Sequence, residues 1–233
     1  MSDTAFEIKA IARIHTDLTS KFGIPRQSGL VEELEGIIVF EPEYRAAEAL
    51  RGIEEWSHLW LIWQFSENIG EWSPTVRPPR LGGNERVGVF ATRSPFRPNS
   101  MGLSCVRLLG TEHTRDRGTV LRVAGADLMD GTPIFDIKPY LPLADCKPEA
   151  SGGFTDTRQK RRVEAEIPDE LADILPAEKL AALRALLSED PRPAYQDDPE
   201  RVYGFPYAGY EVRFRVEDGK AKVVDITPDK EHL

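Results

Sequence analysis

Residues 88–104, GVFATRSPFRPNSMGLS, hold two arginines, two prolines, an asparagine and four hydroxyl residues between apolar runs. Such a stretch adds little to a core and is costly to bury, so its composition asks for a ligand. Val89 and Phe90 lead out of a short apolar strand, and Pro95 and Pro98 then hold the backbone turned or extended while removing two amide donors. The loop is therefore stiff. Arg93 and Arg97 present planar guanidinium groups that suit a carboxylate, a phosphate or an aromatic face. The alternative is a solvated polar connection, and Arg97 has a second reading as a stiffener that bonds backbone carbonyls. Asn99 and Ser100 read as the cap of a turn of helix ahead of the apolar Met101–Val106.

Other chemistries lack their residues. The histidines at 15, 58, 113 and 232 are scattered and share no metal-ligand spacing with Cys105 or Cys146, so no metal site is expected. LGGNE at 81–85 lacks the lysine of a phosphate loop, no dinucleotide fingerprint is present, and GLSCV misses the glycine a nucleophile elbow needs after its serine.

The elements that position the loop follow from periodicity. Ile8, Ala10, Ala12 and Ile14 alternate as a strand that His15 ends. TDLTSKFGIPRQSGLVEELEG has no period and reads as a long loop of functional type. Ile37–Phe40 is a short buried strand, Tyr44–Arg51 a short helix, and Trp56–Phe65 a central strand. SPTVRPPRLGG reads as a second long loop without regular structure. Leu103–Leu109, Thr119–Val123, the short DLMD and Ile134–Tyr140 read as strands, with a tight turn at Asp130-Gly131-Thr132-Pro133. Short strands at this spacing with few helices predict a closed antiparallel or mixed β-barrel. Periodicity fades through 141–165. Beyond it, Pro176 starts a helix with Leu180, Leu183 and Leu187 on one face, and Tyr210–Val216 and Lys220–Ile226 form a hairpin about Asp218-Gly219. The expected class is mainly β, a barrel domain over 1–145, a linker over 146–165 and a small α+β domain over 166–233.

The chain of 233 residues carries a net charge of −9, which argues against a uniformly basic nucleic-acid binder. Locally the sign reverses. Arg77, Arg80, Arg86, Arg93, Arg97 and Arg107 face a single acid, Glu85, between 75 and 107, and Arg158, Lys160, Arg161 and Arg162 form a second cluster. A basic face on an acidic protein steers a polyanion, and Arg77, Arg80, Arg86 and the 158–162 cluster are the candidate phosphate contacts. Two cysteines are too few for a disulfide framework and fit reduced thiols in a cytosolic protein; no signal peptide or membrane span is expected.

GVFATRSPFRPNSMGLS, with upstream KFGIPRQSGL and SHLWLIWQF and downstream DLMDGTPIFDIKPYLP, closely resembles the TsaA-like family of tRNA methyltransferases. The likeness is dense over about residues 8–145, and DPRPAY at 190–195 is similar to the family's longer bacterial form. It implies a single-sheeted β-barrel, a homodimer, S-adenosylmethionine as cofactor, and N6-methylation of threonylcarbamoyladenosine at tRNA position 37, beside the anticodon. Carried over by motif, the cofactor meets Pro25, Arg26 and Gln27, then Ser66 and Glu67, then Arg93 and Leu103, and the turn Asp130, Gly131, Thr132 and Pro133. Ser66-Glu67 departs from the His-Gln that the family carries there. Asp136 or a neighbouring acid is the candidate for proton removal, with Lys138 or Tyr140 orienting the carbamoyl group; a strand salt bridge is the plainer reading of that cluster. The competing function is a non-catalytic adenosine-ligand sensor or RNA-binding module on the same barrel.

Overall fold

The computed structural model describes residues 6–68, 70, 72–157, 162–192 and 198–229. Its N-terminal part contains β1 (Ala12–Thr16), β2 (Glu35–Phe40), β3 (His58–Gln64), the two-residue pair β4 (Thr75–Val76) and β5 (Val87–Gly88), β6 (Met101–Thr114), β7 (Gly118–Ala124) and β8 (Pro133–Pro139). Six of these pair antiparallel in the order β1-β2-β7-β6-β3-β8, and β1 pairs in turn with β8 through Ala12↔Ile134 and Arg13↔Pro133, so the order closes on itself. Alternation explains which face goes in: on β3, Leu59, Leu61 and Trp63 are buried while the residues between them are not. They pack with Ile14, Ile38, Val106, Leu121, Val123 and Ile134. Each large side chain so buried stabilises the fold by roughly 1.5–3 kcal/mol.

Antiparallel pairing has a consequence for function. The C-terminal ends of β1, β3 and β7 and the N-terminal ends of β2, β6 and β8 point the same way, so the connections 17–34, 65–100 and 125–132 all open at one rim. Short connections and 3-10 turns occupy the other.

After the short helices α1 (Pro142–Asp145) and α2 (Phe154–Thr157), the chain builds β9 (Glu164–Glu166), α3 (Asp169–Ala172), α4 (Ala177–Ser188), β10 (Tyr203–Tyr207), β11 (Tyr210–Glu217) and β12 (Lys220–Pro228). The sheet order is β10-β11-β12-β9, with β9 parallel to β12. On α4, Ala182, Leu183, Leu186 and Leu187 are buried against Phe205, Val212, Phe214 and Val223. The same core takes in Leu18, Val31 and Leu34 from the first rim connection, which is thereby held between the two parts of the chain.

Several local expectations change. β1 begins only at Ala12, the first residue in register with both neighbours, opposite Phe40 at the end of β2 and Ile134 near the start of β8. Tyr44–Arg51 is broken into 3-10 turns at Pro42–Tyr44, Ala47–Leu50 and Ile53–Glu55, with Gly52 at φ 83 between the last two. The segment after Asn99-Ser100 is strand, not a capped turn, because Met101–Arg107 pairs with the whole of β3. The second loop contains the β4–β5 pair, and DLMD is an irregular connection rather than a strand.

Candidate active site

The rim is assembled by hydrogen bonds between its three connections. Asp130 N donates to Leu18 O at 2.8 Å, and Asp130 Oδ1 accepts from Thr16 N at 3.0 Å and meets His15 Nδ1 at 3.2 Å. Gly131, at φ 75, turns the chain there, and its carbonyl accepts from Arg13 Nη1 at 3.0 Å. Thr132 is buried and donates from Oγ1 to Met129 O at 2.7 Å, and Pro133 is buried beside it. These two therefore shape the turn and offer backbone rather than side chain to a ligand. Asp130 makes both bonds through Oδ1; Oδ2 makes none among the described residues, so one carboxylate oxygen remains for a cationic or hydroxyl group.

The first connection meets the second differently. Gln27 accepts from Arg93 Nη1 through its side-chain oxygen and donates to Arg26 O through its amide nitrogen, which clips the stiff loop to PRQ. Pro25 is buried. Arg26 donates from Nη2 to Arg192 O at 3.0 Å and ties the rim to the C-terminal part. Ser66 and Glu67 form a 3-10 turn at the end of β3, and Glu67 O accepts from Lys21 Nζ at 3.4 Å. Arg97 donates to Thr92 O at 2.7 Å and Val89 O at 3.4 Å, which makes it the stiffener of its loop. Leu103 is 52% exposed on the outer face of β6, an apolar side chain beside polar groups.

A buried chain of polar contacts that the sequence reading missed lies below. Trp63 Nε1 donates to Ser104 Oγ at 2.9 Å, and Ser104 Oγ donates to Asp127 Oδ1 at 2.5 Å. Ser28 Oγ accepts from Cys105 N at 3.1 Å. Burial pushes the Asp127 carboxyl up from its ordinary value, against the Ser104 bond, the backbone amides of Asp127 and Ser28, and the charge of Arg93. The signal was present in DLMD, where two carboxylates flank an apolar pair. A raised value means the folded protein holds this proton more tightly than the unfolded chain. The resulting contribution to stability is full below a pH of about 4 and is lost as pH rises through the raised folded value. Urea unfolding at a series of pH values is expected to show wild-type stability, relative to Asp127→Asn, falling over that window. A difference that grows with pH would put the hydrogen bonds above burial.

The β8 candidates do not gather at the rim. Asp136, Lys138 and Tyr140 run along the outer face, and Lys138 Nζ pairs with Asp136 Oδ2 at 2.8 Å, which is the strand salt bridge. Tyr140 lies seven residues beyond Pro133, roughly 20 Å along the strand, with its amide bonded to His58 O at the opposite rim. That separation sets it apart from the Asp130 turn within one chain. Asp136 is better placed: it opposes Ile62, which opposes Leu103, so the three form one cross-strand row.

Among the basic candidates, Arg77 and Arg86 are exposed, and Arg86 also bonds Thr75 Oγ1 at 2.8 Å and Thr75 O at 3.1 Å. Arg162 pairs with the buried Glu189 at 3.0 Å while its own side chain stays 72% exposed. Arg158, Lys160 and Arg161 lie outside the described residues, as does the side chain of Arg80. A hollow of about 540 Å³ lined by Glu48, Arg51, Glu54, Thr111 and Thr119 contains none of the candidates and belongs to the opposite rim. Among the described residues no group of three or more His, Cys, Asp or Glu is arranged to hold a metal ion, and no helix is long and apolar enough to cross a membrane.

Similarity to known proteins covers both parts of the chain. Residues 13–146 match the tRNA-methyltransferase O N-terminal domain and residues 160–229 the TrmO C-terminal domain. A protein of Escherichia coli K12 named tRNA (adenine(37)-N6)-methyltransferase is 39% identical over 97% of this chain and 99% of its own length. One of Pseudomonas aeruginosa, named putative S-adenosylmethionine-dependent methyltransferase RcsF, is 41% identical over 84% of this chain and 87% of its own. The crystal structure of TrmO from Pseudomonas aeruginosa superposes with a TM-score of 0.77 at 30% identity, over 96% of this chain and all of that one.

Proposed function

The chain belongs to the tRNA-methyltransferase O family, and from that premise we propose that it is an S-adenosylmethionine-dependent enzyme that methylates N6 of adenosine 37 in tRNA. The observation that carries the reading to a site is the convergence of PRQ, Arg93 and the Asp130 turn on one rim. We read the closed six-strand order as the single-sheeted barrel of the resemblance, residues 1–145 as the catalytic domain, 166–233 as its α+β companion, the active form as a homodimer, and the cytoplasm as its place.

The donor set fits the cofactor's groups. Asp130 Oδ2 suits an ammonium or ribose hydroxyl, Arg93 a carboxylate, and the exposed Leu103 an apolar edge, while the backbone of 131–133 suits an adenine. S-adenosylmethionine, when bound, supplies an electrophilic methyl group on a sulfonium. The chain's own task is to align the acceptor nitrogen, exclude water and take its proton, because the lone pair of a threonylcarbamoylated N6 is delocalised. Asp136 is the proposed proton acceptor and Lys138 holds its carboxylate in place. In Ser66-Glu67, the Glu67 carboxylate accepts hydrogen bonds where the family has an amide. Arg77, Arg80 and Arg86 take tRNA phosphates.

Methyl transfer from labelled cofactor to bulk tRNA of cells lacking this protein, with mass spectrometry of the nucleosides, tests the whole reading. A methylated threonylcarbamoyladenosine is expected, with kcat lowered about 10²-fold or more in Asp136→Asn. Cofactor binding without a labelled nucleoside would replace the enzyme by a ligand sensor; unaltered turnover in Asp136→Asn would remove that residue alone.

A further inference from the structure

The connection between β3 and β6 exposes three large aromatic rings: Trp72 is 56% exposed, Phe90 75% and Phe96 39%. A connection that only closed a sheet would not keep them in water. The segments that carry them are stitched into one lobe: Ser73 N donates to Phe96 O at 3.3 Å, Val89 N to Pro74 O at 3.0 Å, and β4 pairs with β5 between them. Arg97 lies 5.8 Å from the centre of the Phe90 ring, and its bonds to Thr92 O and Val89 O fix that loop. Over 72–100 the charges are Arg77, Arg80, Arg86, Arg93 and Arg97 against Glu85. The lobe rises from the cofactor rim, to which Arg93 joins it through Gln27 and Ser100 through Asn68 O at 3.2 Å.

Exposed rings carried in one lobe with guanidinium groups match unpaired nucleotides, which offer π-faces and phosphates together. A duplex offers only its backbone, and an apolar protein partner would meet the arginines unpaired. We propose that Trp72, Phe90 and Phe96 form a stacking platform for unpaired anticodon-loop bases next to the acceptor adenosine, with Arg77, Arg80 and Arg86 on the intervening phosphates. This rests on the tRNA reading above and assigns to these aromatics the step that reading leaves open: how a loop base is presented at the rim. Stacking the neighbours holds the strand splayed while the acceptor base reaches the site.

The test is steady-state methyl transfer, with tRNA and S-adenosylmethionine varied separately, for wild type, Trp72→Ala, Phe90→Ala and Phe90→Tyr. Trp56→Ala, an exposed aromatic at the opposite rim, is the control. Each alanine is expected to raise KM for tRNA about tenfold, a loss of one stacked base. KM for the cofactor stays within about twofold, Phe90→Tyr stays near wild type, and Trp56→Ala changes nothing. Anisotropy of a labelled anticodon stem-loop is expected to move in parallel. An unchanged KM for tRNA in both alanine variants overturns the platform. So does a raised KM accompanied by a fall in mass by light scattering, which would make the lobe an interface between copies of this chain. If wild type itself labels no tRNA, the functional reading fails instead, and stem-loop binding by the same variants still decides whether the lobe takes RNA.

Discussion

Gly102→Ala is expected to lower the unfolding free energy by about 2 to 4 kcal/mol and to remove most methyl transfer. Gly102 needs no special φ; it is required for space. A Cβ there would stand 2.3 Å from Trp63 Cε2 and 2.4 Å from Cζ2, across the β3–β6 pair. Trp63 is 7% exposed, packs against Phe65 with ring centres 4.3 Å apart, and donates to Ser104, which holds Asp127. The indole is thus fixed on several sides, and an added methyl group displaces either it or the strand. Moving the indole breaks the bond to Ser104 and loosens Asp127 beneath Ser28 and the PRQ clip. Chemical denaturation and methyl-transfer kinetics measure the two effects. Adding Trp63→Phe, whose smaller ring vacates the clash, is expected to recover part of the stability lost in Gly102→Ala. Wild-type stability and activity in Gly102→Ala would mean that the indole has room to move and that the polar chain below it is dispensable.

That glycine illustrates what a linear reading reaches. MGLS is visible as a motif, but the reason for its glycine is the tryptophan opposite, and pairing partners 39 residues apart are not written in local periodicity. What local physics decides was legible: the aromatic and branched run Trp56–Phe65 read as a strand, Asp218-Gly219 turned the last hairpin, and Leu183 and Leu187 marked the buried side of α4. Where tertiary contacts decide, the reading slipped. YGFPY, which the sequence reading passed over, forms β10, because the edge of a sheet tolerates a missing amide donor. DIKPY groups three polar side chains in sequence, but a strand spaces them along its axis, so only Asp136 shares a row with Leu103. PRQ and Arg93 were found as motifs and do meet, and Arg26 also bonds Arg192, a partner 166 residues distant that no local pattern shows.

That distant partner sets the second large effect. Asp190→Asn is expected to cost about 3 kcal/mol of stability and to raise KM for S-adenosylmethionine more than KM for tRNA. Asp190 holds Arg192 by two bonds, 2.9 Å to Nε and 3.0 Å to Nη2, and Arg192 is 4% exposed. Removing the carboxylate leaves a guanidinium in a site that excludes water without its bidentate partner. Asparagine is the substitution of choice because Asp190 sits at φ 45, which asparagine tolerates and alanine does not. The loss reaches the rim through the backbone: Arg192 O accepts from Arg26, the next residue is Gln27, and Gln27 accepts from Arg93. The same connection is braced by Lys179 on Asp17, by Ala208 N on Asp17 O at 3.1 Å, and by Phe205 against Gly23. The C-terminal part therefore braces the 17–34 connection from behind, and with the cofactor placed as proposed above its damage is felt first as weaker cofactor binding. Pairing Asp190→Asn with Arg192→Met is expected to restore stability in part, since the stranded charge goes with it. Restored stability with cofactor KM still raised would locate the coupling in the Arg192 backbone position. An effect on tRNA KM alone would instead make this part of the chain an RNA contact and end its role as a wall.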